Sequence, residues 1–268
     1  MTVYANRITR TSLRIAVVTL LSALLTGCGG RTVKELVFDK GPVTEAWAVD
    51  VNSFAGGVEV VADPAAPGIE VRATLRAGHD WYRVGKNIRQ HRLEQTLDRI
   101  NVEAELIRDS NGFGILQVTA VTDYEYPDLQ WVDLRITMPE VNGARVQTMR
   151  GTVDLLNLDG AITVINERGD VMIRSSKALT EAIAASTTEG NVNLRIPPDS
   201  SGEFDLEALG GAVEFKAYEG APIIHSRGEE RVTARYNGGG NLVVLRAYDG
   251  KVRVVIKDDP TAVGPFNY

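Results

Sequence analysis

Between Arg150 and Arg174 glycine recurs at positions 151, 160 and 169. After each one comes a spacer residue and then two apolar residues two apart: Val153 and Leu155, Ile162 and Val164, Val171 and Ile173. Residues two apart share one face of a strand. Glycine supplies the positive φ that a tight turn needs. The unit is therefore a short turn feeding a short strand. It recurs downstream at Gly190-Asn-Val192-Asn-Leu194, Gly211-Ala-Val213-Glu-Phe215, Gly240-Asn-Leu242-Val-Val244 and Gly250-Lys-Val252-Arg-Val254, and upstream at Gly57-Val58-Glu-Val60. The spacing is nine residues from 151 to 160 to 169, and 21 from 169 to 190 and from 190 to 211. A period near 20 points to a stacked array. One short strand cannot bury its apolar face alone, whereas stacked neighbours can. The expected fold is all-β: a repeat-containing, β-solenoid or β-helix-like domain.

Strands are expected at 152–156, 161–165, 170–174, 180–187, 191–196, 203–208, 212–217, 231–236, 241–247 and 251–257. Residues 177–186 are helix-compatible on propensity, but Gly190 at the repeat distance favours strand. The inward residues are expected to be Val153, Leu155, Ile162, Val164, Val171, Ile173, Val192, Leu194, Phe215, Val252 and Val254, with polar neighbours giving one wet face. Upstream, residues 46–51, 58–61, 69–75, 102–106, 115–121 and 131–138 read as strands, the last ending at Pro139, which cannot continue a ladder. The pattern between Gly85 and Arg99 differs. There Ile88, Leu93, Leu97 and Ile100 alternate with charges at helical spacing, so one short helix is expected near 86–99.

The N-terminal 27 residues read as a signal peptide. Arg7, Arg10 and Arg14 precede an apolar run from Ile15 to Leu25. Eleven residues fall short of the roughly 20 that span a bilayer. Leu25-Thr-Gly-Cys28 resembles the bacterial lipobox, which implies cleavage before Cys28, a thioether-linked diacylglyceryl group on its sulfur and further acylation (palmitate in many bacteria). Two or more acyl chains anchor a protein stably. Cys28 is also the only cysteine, so no intramolecular disulfide exists. Residues 28–42 read as a tether, 43–257 as the folded domain and 258–268 as a loose C-terminal tail. The absence of aspartate after Cys28 resembles outer-membrane rather than inner-membrane lipoproteins of Gram-negative bacteria. The formal net charge is −6, and the charges before Cys28 are all basic, so the remainder is more acidic still. Nucleic acid is thereby excluded as a partner, since phosphate backbones need basic patches.

The order of elements resembles the bacterial putative-adhesin family of domains of unknown function. The resemblance rests on Val51-Asn-Ser-Phe-Ala-Gly56-Gly-Val-Glu-Val60, on Leu134-Arg-Ile-Thr-Met-Pro139 and on the recurrent Gly-x-Val-x-apolar units from 151 to 256. It covers nearly all of 43–257, although the repeats are irregular around Pro197–Gly202 and Pro222–Arg231. It implies a β-solenoid-like fold and no established catalysis.

Residues that carry chemistry are sparse. His79, His91 and His225 lack metal-ligand spacing, and a zinc site needs three or four converging ligands. No nucleophile elbow or phosphate loop is present. Asp154, Asp159 and Asp170 follow the nine-residue glycine step, but without the Gly-Gly-x-Gly-x-Asp core of calcium-binding nonapeptide repeats; aspartate beside glycine is also an ordinary turn residue. Asp154, Glu167, Asp170 and Arg174 are the residues that a carbohydrate-active β-helix enzyme would have to assemble, and carboxylate pairs work only at defined separations. Trp81-Tyr82 and Tyr124-Glu-Tyr126 are aromatic pairs suited to packing or to stacking on sugars. The expectation is a lipid-anchored, exported, non-enzymatic envelope protein without cofactor or metal. Its partners are the membrane through Cys28, and an envelope protein or polysaccharide.

Overall fold

The computed structural model describes residues 32–43, 45–78 and 95–262. Its strands are β1 (Thr32–Asp39), β2 (Trp47–Ser53), β3 (Val58–Ala62), β4 (Glu70–Ala77), β5 (Ile100–Arg108), β6 (Gly114–Thr122), β7 (Gln130–Met138), β8 (Val141–Arg150), β9 (Val153–Leu156), β10 (Asp159–Arg168), β11 (Val171–Arg174), β12 (Ile183–Glu189), β13 (Val192–Ile196), β14 (Gly202–Ala208), β15 (Val213–Ala217), β16 (Ile223–Arg227), β17 (Arg231–Tyr236), β18 (Leu242–Asp249) and β19 (Val252–Ile256). A 3₁₀ turn at Pro127–Leu129 precedes β7. Most of the helix expected near 86–99 lies outside the described residues; within them, 95–97 is helical.

The strands form two sheets that face each other, one of nine strands and one of ten. The pairs β6/β7, β2/β3, β8/β9, β10/β11, β12/β13, β18/β19 and β14/β15 each put their first strand in the ten-stranded sheet and their second in the nine-stranded sheet. The two sheets hold these pairs in the same spatial order. Every join within this stack is parallel. The outermost strands are antiparallel additions: β4 and then β1 beyond β7, β5 beyond β6, and β17 and then β16 beyond β14.

Alternation explains the core. In β13, Val192, Leu194 and Ile196 are buried while Asn193 and Arg195 face outward, half-buried. All eleven residues expected to point inward do so. Parallel registry stacks Val153, Val171, Val192 and Val252 on successive strands. One continuous apolar cluster runs from Trp47 to Ile256.

Glycine sets the corner where the chain passes from one sheet to the other. Gly56, Gly151, Gly169, Gly190 and Gly250 all have positive φ. At each of the last four, a Cβ would strike the carbonyl of the glycine one rung away, so the corners form a column. The Gly151 amide donates to Arg168 O at 2.8 Å, that of Gly169 to Glu189 O at 2.7 Å and that of Gly190 to Asp249 O at 2.8 Å. Beneath the column sit the buried polar residues Ser53, Thr148, Asn166 and Thr187. Asn166 Nδ2 donates to Gly151 O and Gly169 O, and Thr187 Oγ1 donates to Gly169 O, each at 2.9 Å. Buried carbonyls left without donors are costly, so these side chains complete the corner. Gly160, by contrast, begins β10 at the opposite edge with φ +72°. A nine-residue step is therefore one strand and one corner, and the chain returns to a neighbouring corner of the same column from 151 to 169 and from 169 to 190.

Several boundaries differ from expectation. Residues 32–39, read as part of a 28–42 tether, form β1 and pair along the whole of β4. Leu36 and Phe38 pack against the core, and Glu35 pairs with Arg72 at 2.7 Å. β4 would otherwise be an open edge, and β1 covers it. Residues 258–262, read as the start of a loose C-terminal tail, make ordered contacts. Lys257 N donates to Ile196 O, Pro260 is buried, and Asp259 Oδ1 accepts from Ala262 N at 3.0 Å. β8 and β16 were not expected. A register shift against β2, where Val141 and Ala144 partner Trp47 and Val49, puts an extra residue in β8 and breaks the alternation that would have marked it. β12 begins at Ile183, because 175–182 is a loop held on both sides. Asn157 Oδ1 accepts from Ser176 N, and Ser200 Oγ accepts from Leu179 N.

Candidate functional site

The outer faces of the two sheets carry the charges, and most of these pair across neighbouring strands. On the nine-stranded sheet, Arg174 meets Asp154 at 2.6 Å, Arg76 meets Asp133 at 2.7 Å, Arg135 meets Glu59 at 3.6 Å, and Glu214 takes both Lys216 at 3.0 Å and Arg253 at 3.3 Å. Between Glu59, Arg72, Asp133, Arg135 and Asp154 lies an open groove of about 470 Å³. On the ten-stranded sheet, Asp205 accepts from Arg246 at 2.5 Å and Arg231 at 3.2 Å, Arg246 also meets Glu207, and Glu203 pairs with Arg235. Burial alone would raise the Asp205 pKa, but the hydrogen bonds and charges of Arg246 and Arg231 outweigh it and hold the carboxyl below its ordinary range. The hydrogen bond from Lys216 likewise lowers Glu214. At one end of the molecule the carboxyl of Glu219 is raised by its hydrogen bond to Asp258.

The second concavity lies at the edge opposite the glycine column. A cavity of about 380 Å³ opens beneath the 175–182 loop, floored by Leu155, Ile173, Leu194 and Ile196 and rimmed by Asp159, Lys177 and Glu181. It exists because this corner has eight residues where the corner between β9 and β10 has Asn157 and Leu158 alone. Lys177 Nζ pairs with Asp159 across its mouth.

Of the residues that enzymatic or calcium chemistry would need, the structure pairs Asp154 with Arg174 and gives the others different partners or surroundings. Asp154 is committed to Arg174, and Asp159 to Lys177. Asp170 Oδ1 accepts from Asn191 N at 2.8 Å and Asn191 Nδ2 at 3.0 Å, which makes it a turn-capping group. Glu167 is exposed on the other sheet. Among the described residues no group of three or more His, Cys, Asp or Glu side chains stands where a metal ion could be held. His225 lies 4.0 Å from Glu203, with nearly half of its side chain exposed. Tyr124 and Tyr126 pack edge-to-face at 5.9 Å, and Tyr126 is exposed. Cys28, His79, His91, Trp81 and Tyr82 lie outside the described residues.

Arg195 was not singled out among the candidate residues. Its signal lay in the repeat phase: Arg174 and Arg195 occupy the same offset after Gly169 and Gly190, so parallel registry places them side by side.

No protein-family model matches the chain, and no curated protein matches it. Among solved structures, the chain is similar to a putative cell adhesion protein from Clostridium sporogenes ATCC 15579, with a TM-score of 0.52 and 14% identity, over 84% of this chain and 100% of that one. The chain has the fold of that bacterial putative adhesin. A putative adhesin from Bacteroides fragilis NCTC 9343 matches at 11% identity and TM-score 0.29, over 83% of this chain and 97% of the other. One from Parabacteroides merdae ATCC 43184 matches at 8% identity and TM-score 0.25, over 86% and 78%. At 14% identity, the likeness to the Clostridium sporogenes protein is one of fold.

Proposed function

We propose that this chain is a lipid-anchored, non-enzymatic protein of the cell envelope, whose β-solenoid serves as a structural or binding surface of the adhesin-like kind. The observation that carries this reading is the mutual neutralisation of the outward charges. Asp154 with Arg174, Asp205 with Arg246 and Arg231, and Glu203 with Arg235 each satisfy one another across neighbouring strands. Catalytic acids and bases are instead held with unmatched or shifted charge facing a cleft. The partners in this reading are the membrane, through acyl chains on Cys28, and an envelope protein or polysaccharide laid along a sheet face. The membrane is the outer one where the host is Gram-negative.

The position of β1 adds a constraint. The strand begins at Thr32, four positions after Cys28. Four residues reach at most about 14 Å. A lipid on Cys28 therefore holds the domain close to the headgroup layer, with the Thr32 end of β1 tethered within that reach.

Fractionation of the wild type and of Cys28→Ser in a native-like bacterial host tests the reading. The wild type should pellet with membranes, and its N-terminal peptide should carry the mass of a diacylglyceryl group. The variant should lose that mass and leave the membrane or persist as an uncleaved precursor. A form starting at Gly30 behind an ordinary secretory signal that still pellets after a high-salt wash refutes the anchor. Turnover of any common polysaccharide by the purified protein refutes the non-enzymatic part.

A further inference from the structure

The outer face of the nine-stranded sheet carries three arginines on consecutive strands: Arg174 on β11, Arg195 on β13 and Arg253 on β19. Arg174 and Arg195 are direct Cα partners in a parallel ladder. Arg253 partners Asn193, two residues before Arg195, so it lies diagonal to Arg195. Like charges directly opposite destabilise a sheet, and this chain has acidic residues in excess to place between them. It does not do so. Asp154 takes Arg174 from one side and Glu214 takes Arg253 from the other, which leaves Arg195 between them. Among the described residues Arg195 is the one arginine whose side chain has neither an ion pair nor a hydrogen bond.

The donors around it are also incompletely used. The Arg174 side chain is only 14% exposed, and its Nε is buried without a partner. Arg253 Nε is buried as well, and although it lies 3.3 Å from Glu214 it is out of line for a hydrogen bond. Burial and the charges of Arg253 and Arg174 lower the pKa of Arg195, so its cationic form is held at a cost. A half-buried guanidinium flanked by two others and lacking an acceptor is the arrangement that phosphate and sulfate fill. Guanidinium forks match their oxygens in paired hydrogen bonds, and partial burial strengthens each one.

We propose that Arg195, flanked by Arg174 and Arg253, forms a binding site for a phosphate group on the outer face of the nine-stranded sheet. The oxyanion takes the fork of Arg195 and neutralises the repulsion along the ladder. Asp154 and Glu214 hold the two flanking arginines and limit the site to a single anionic group. The group is either free phosphate or the phosphate of a lipid headgroup.

Calorimetric titration tests this with the full-length chain in non-ionic detergent, at constant ionic strength, using inorganic phosphate and sn-glycerol 3-phosphate as probes. Wild type should bind phosphate saturably with one site per chain. Arg195→Gln should bind at least tenfold more weakly, while its melting temperature is unchanged or higher because repulsion is relieved. Arg195→Lys, which keeps the charge and loses the fork, should fall between. Arg135→Gln, on the same face but paired with Glu59, should bind as wild type does. Tighter binding of glycerol phosphate than of inorganic phosphate identifies a lipid headgroup as the source, and the reverse identifies free phosphate. Equal phosphate affinity in wild type and Arg195→Gln, or no saturable binding of either probe by wild type, overturns the proposal.

Discussion

Replacing Gly190 by alanine isolates what the glycine column contributes. Gly190 has φ +143°, a region that residues with a Cβ rarely enter. Holding a residue there costs about 1–3 kcal/mol. A Cβ at this position would stand 2.6 Å from the carbonyl carbon of Gly169 and closer still to its oxygen. That neighbour is backbone and cannot rotate away. The rung must shift, which strains the 2.8 Å bond from Gly190 N to Asp249 O and the bonds of Asn166 and Thr187 to Gly169 O. Each net hydrogen bond is worth about 1 kcal/mol. Strain and three weakened bonds together give a loss of roughly 4–6 kcal/mol by urea unfolding, or on the order of 10–20 °C in melting temperature. Two controls separate the terms. Gly238 has φ +82° and open space around it, so Gly238→Ala should show the strain alone, about 1 kcal/mol. Gly240 has neither a positive φ nor a near neighbour, so Gly240→Ala should be close to neutral. If Gly190→Ala were no worse than Gly238→Ala, the close approach of successive corners would have no energetic weight, and the column would be incidental.

Val192→Asp places a charge in a fully buried position and should cost several kcal/mol, whereas Asn193→Asp, facing outward beside Arg253, should change stability by about 0.5 kcal/mol or less; equal melting temperatures would overturn the inward assignment. Tyr236→Phe removes the buried hydroxyl that lies 3.0 Å from Pro198 O and Glu219 O, and calorimetry should find a loss of about 1–2 kcal/mol. Because its folded pKa is lowered, Asp205 contributes stability that is present above the ordinary carboxylate pKa of about 4 and is lost as pH falls through the lower folded value. Asp205→Asn should therefore be less stable than wild type at pH 7, with the gap closing in acid; a constant gap down to about pH 2 would contradict the ion-pair origin. Chelator should leave the melting temperature unchanged, since Asp154, Asp159 and Asp170 already have protein partners, and a rise of several degrees on adding calcium would revive the metal reading.

The strands of the repeat region were legible because two local signals agreed. Glycine marked the corners, and alternation marked which residues point inward, as Val171 and Ile173 or Val192 and Leu194 show. What failed to show was non-local. β1 reads as a tether because Thr32–Asp39 becomes a strand only against the open edge of β4. β8 hides behind an irregularity at Gly143, and β16 carries exposed residues throughout much of its length, so alternation does not announce it. Gly250 joins the corner column as its repeat unit suggests, whereas Gly57 and Gly240 look like repeat glycines and do not, Gly56 taking the place of the first; a glycine's neighbours across the sheet cannot be read from its own chain context. On the outer face, the residue types were legible and their pairing was not. The separation of Asp154 from Asp170 and the isolation of Arg195 follow from registry between strands 18 to 21 residues apart.

The order of the stack explains how an open array of this kind ends. Chain order and spatial order agree only in the middle, from β8/β9 through β12/β13. At one end β2/β3 lies inside β6/β7, and at the other β18/β19 lies inside β14/β15. In both places the outermost pair belongs to a segment that also supplies antiparallel strands: β5 and β4 beside β6 and β7, β17 and β16 beside β14. A purely sequential array would finish on a parallel strand with a bare edge and an open apolar end. Here each end is closed by strands running the other way, and such covering is how proteins prevent edge-to-edge growth. The one uncovered parallel edge, β15, is five residues long and presents Glu214 and Lys216 outward, so it too resists pairing. The insertion carries a kinetic consequence. β18 must dock between β12 and β14, and β19 between β13 and β15, after the chain between them has been made. β18 and β19 therefore complete the core of both sheets at once, through contacts distant in sequence, which are slow to form. Truncation before Leu242 should then leave β14 and β15 without parallel partners on their inner sides and prevent stable folding. Loss of the residues after Ala262 should be tolerated.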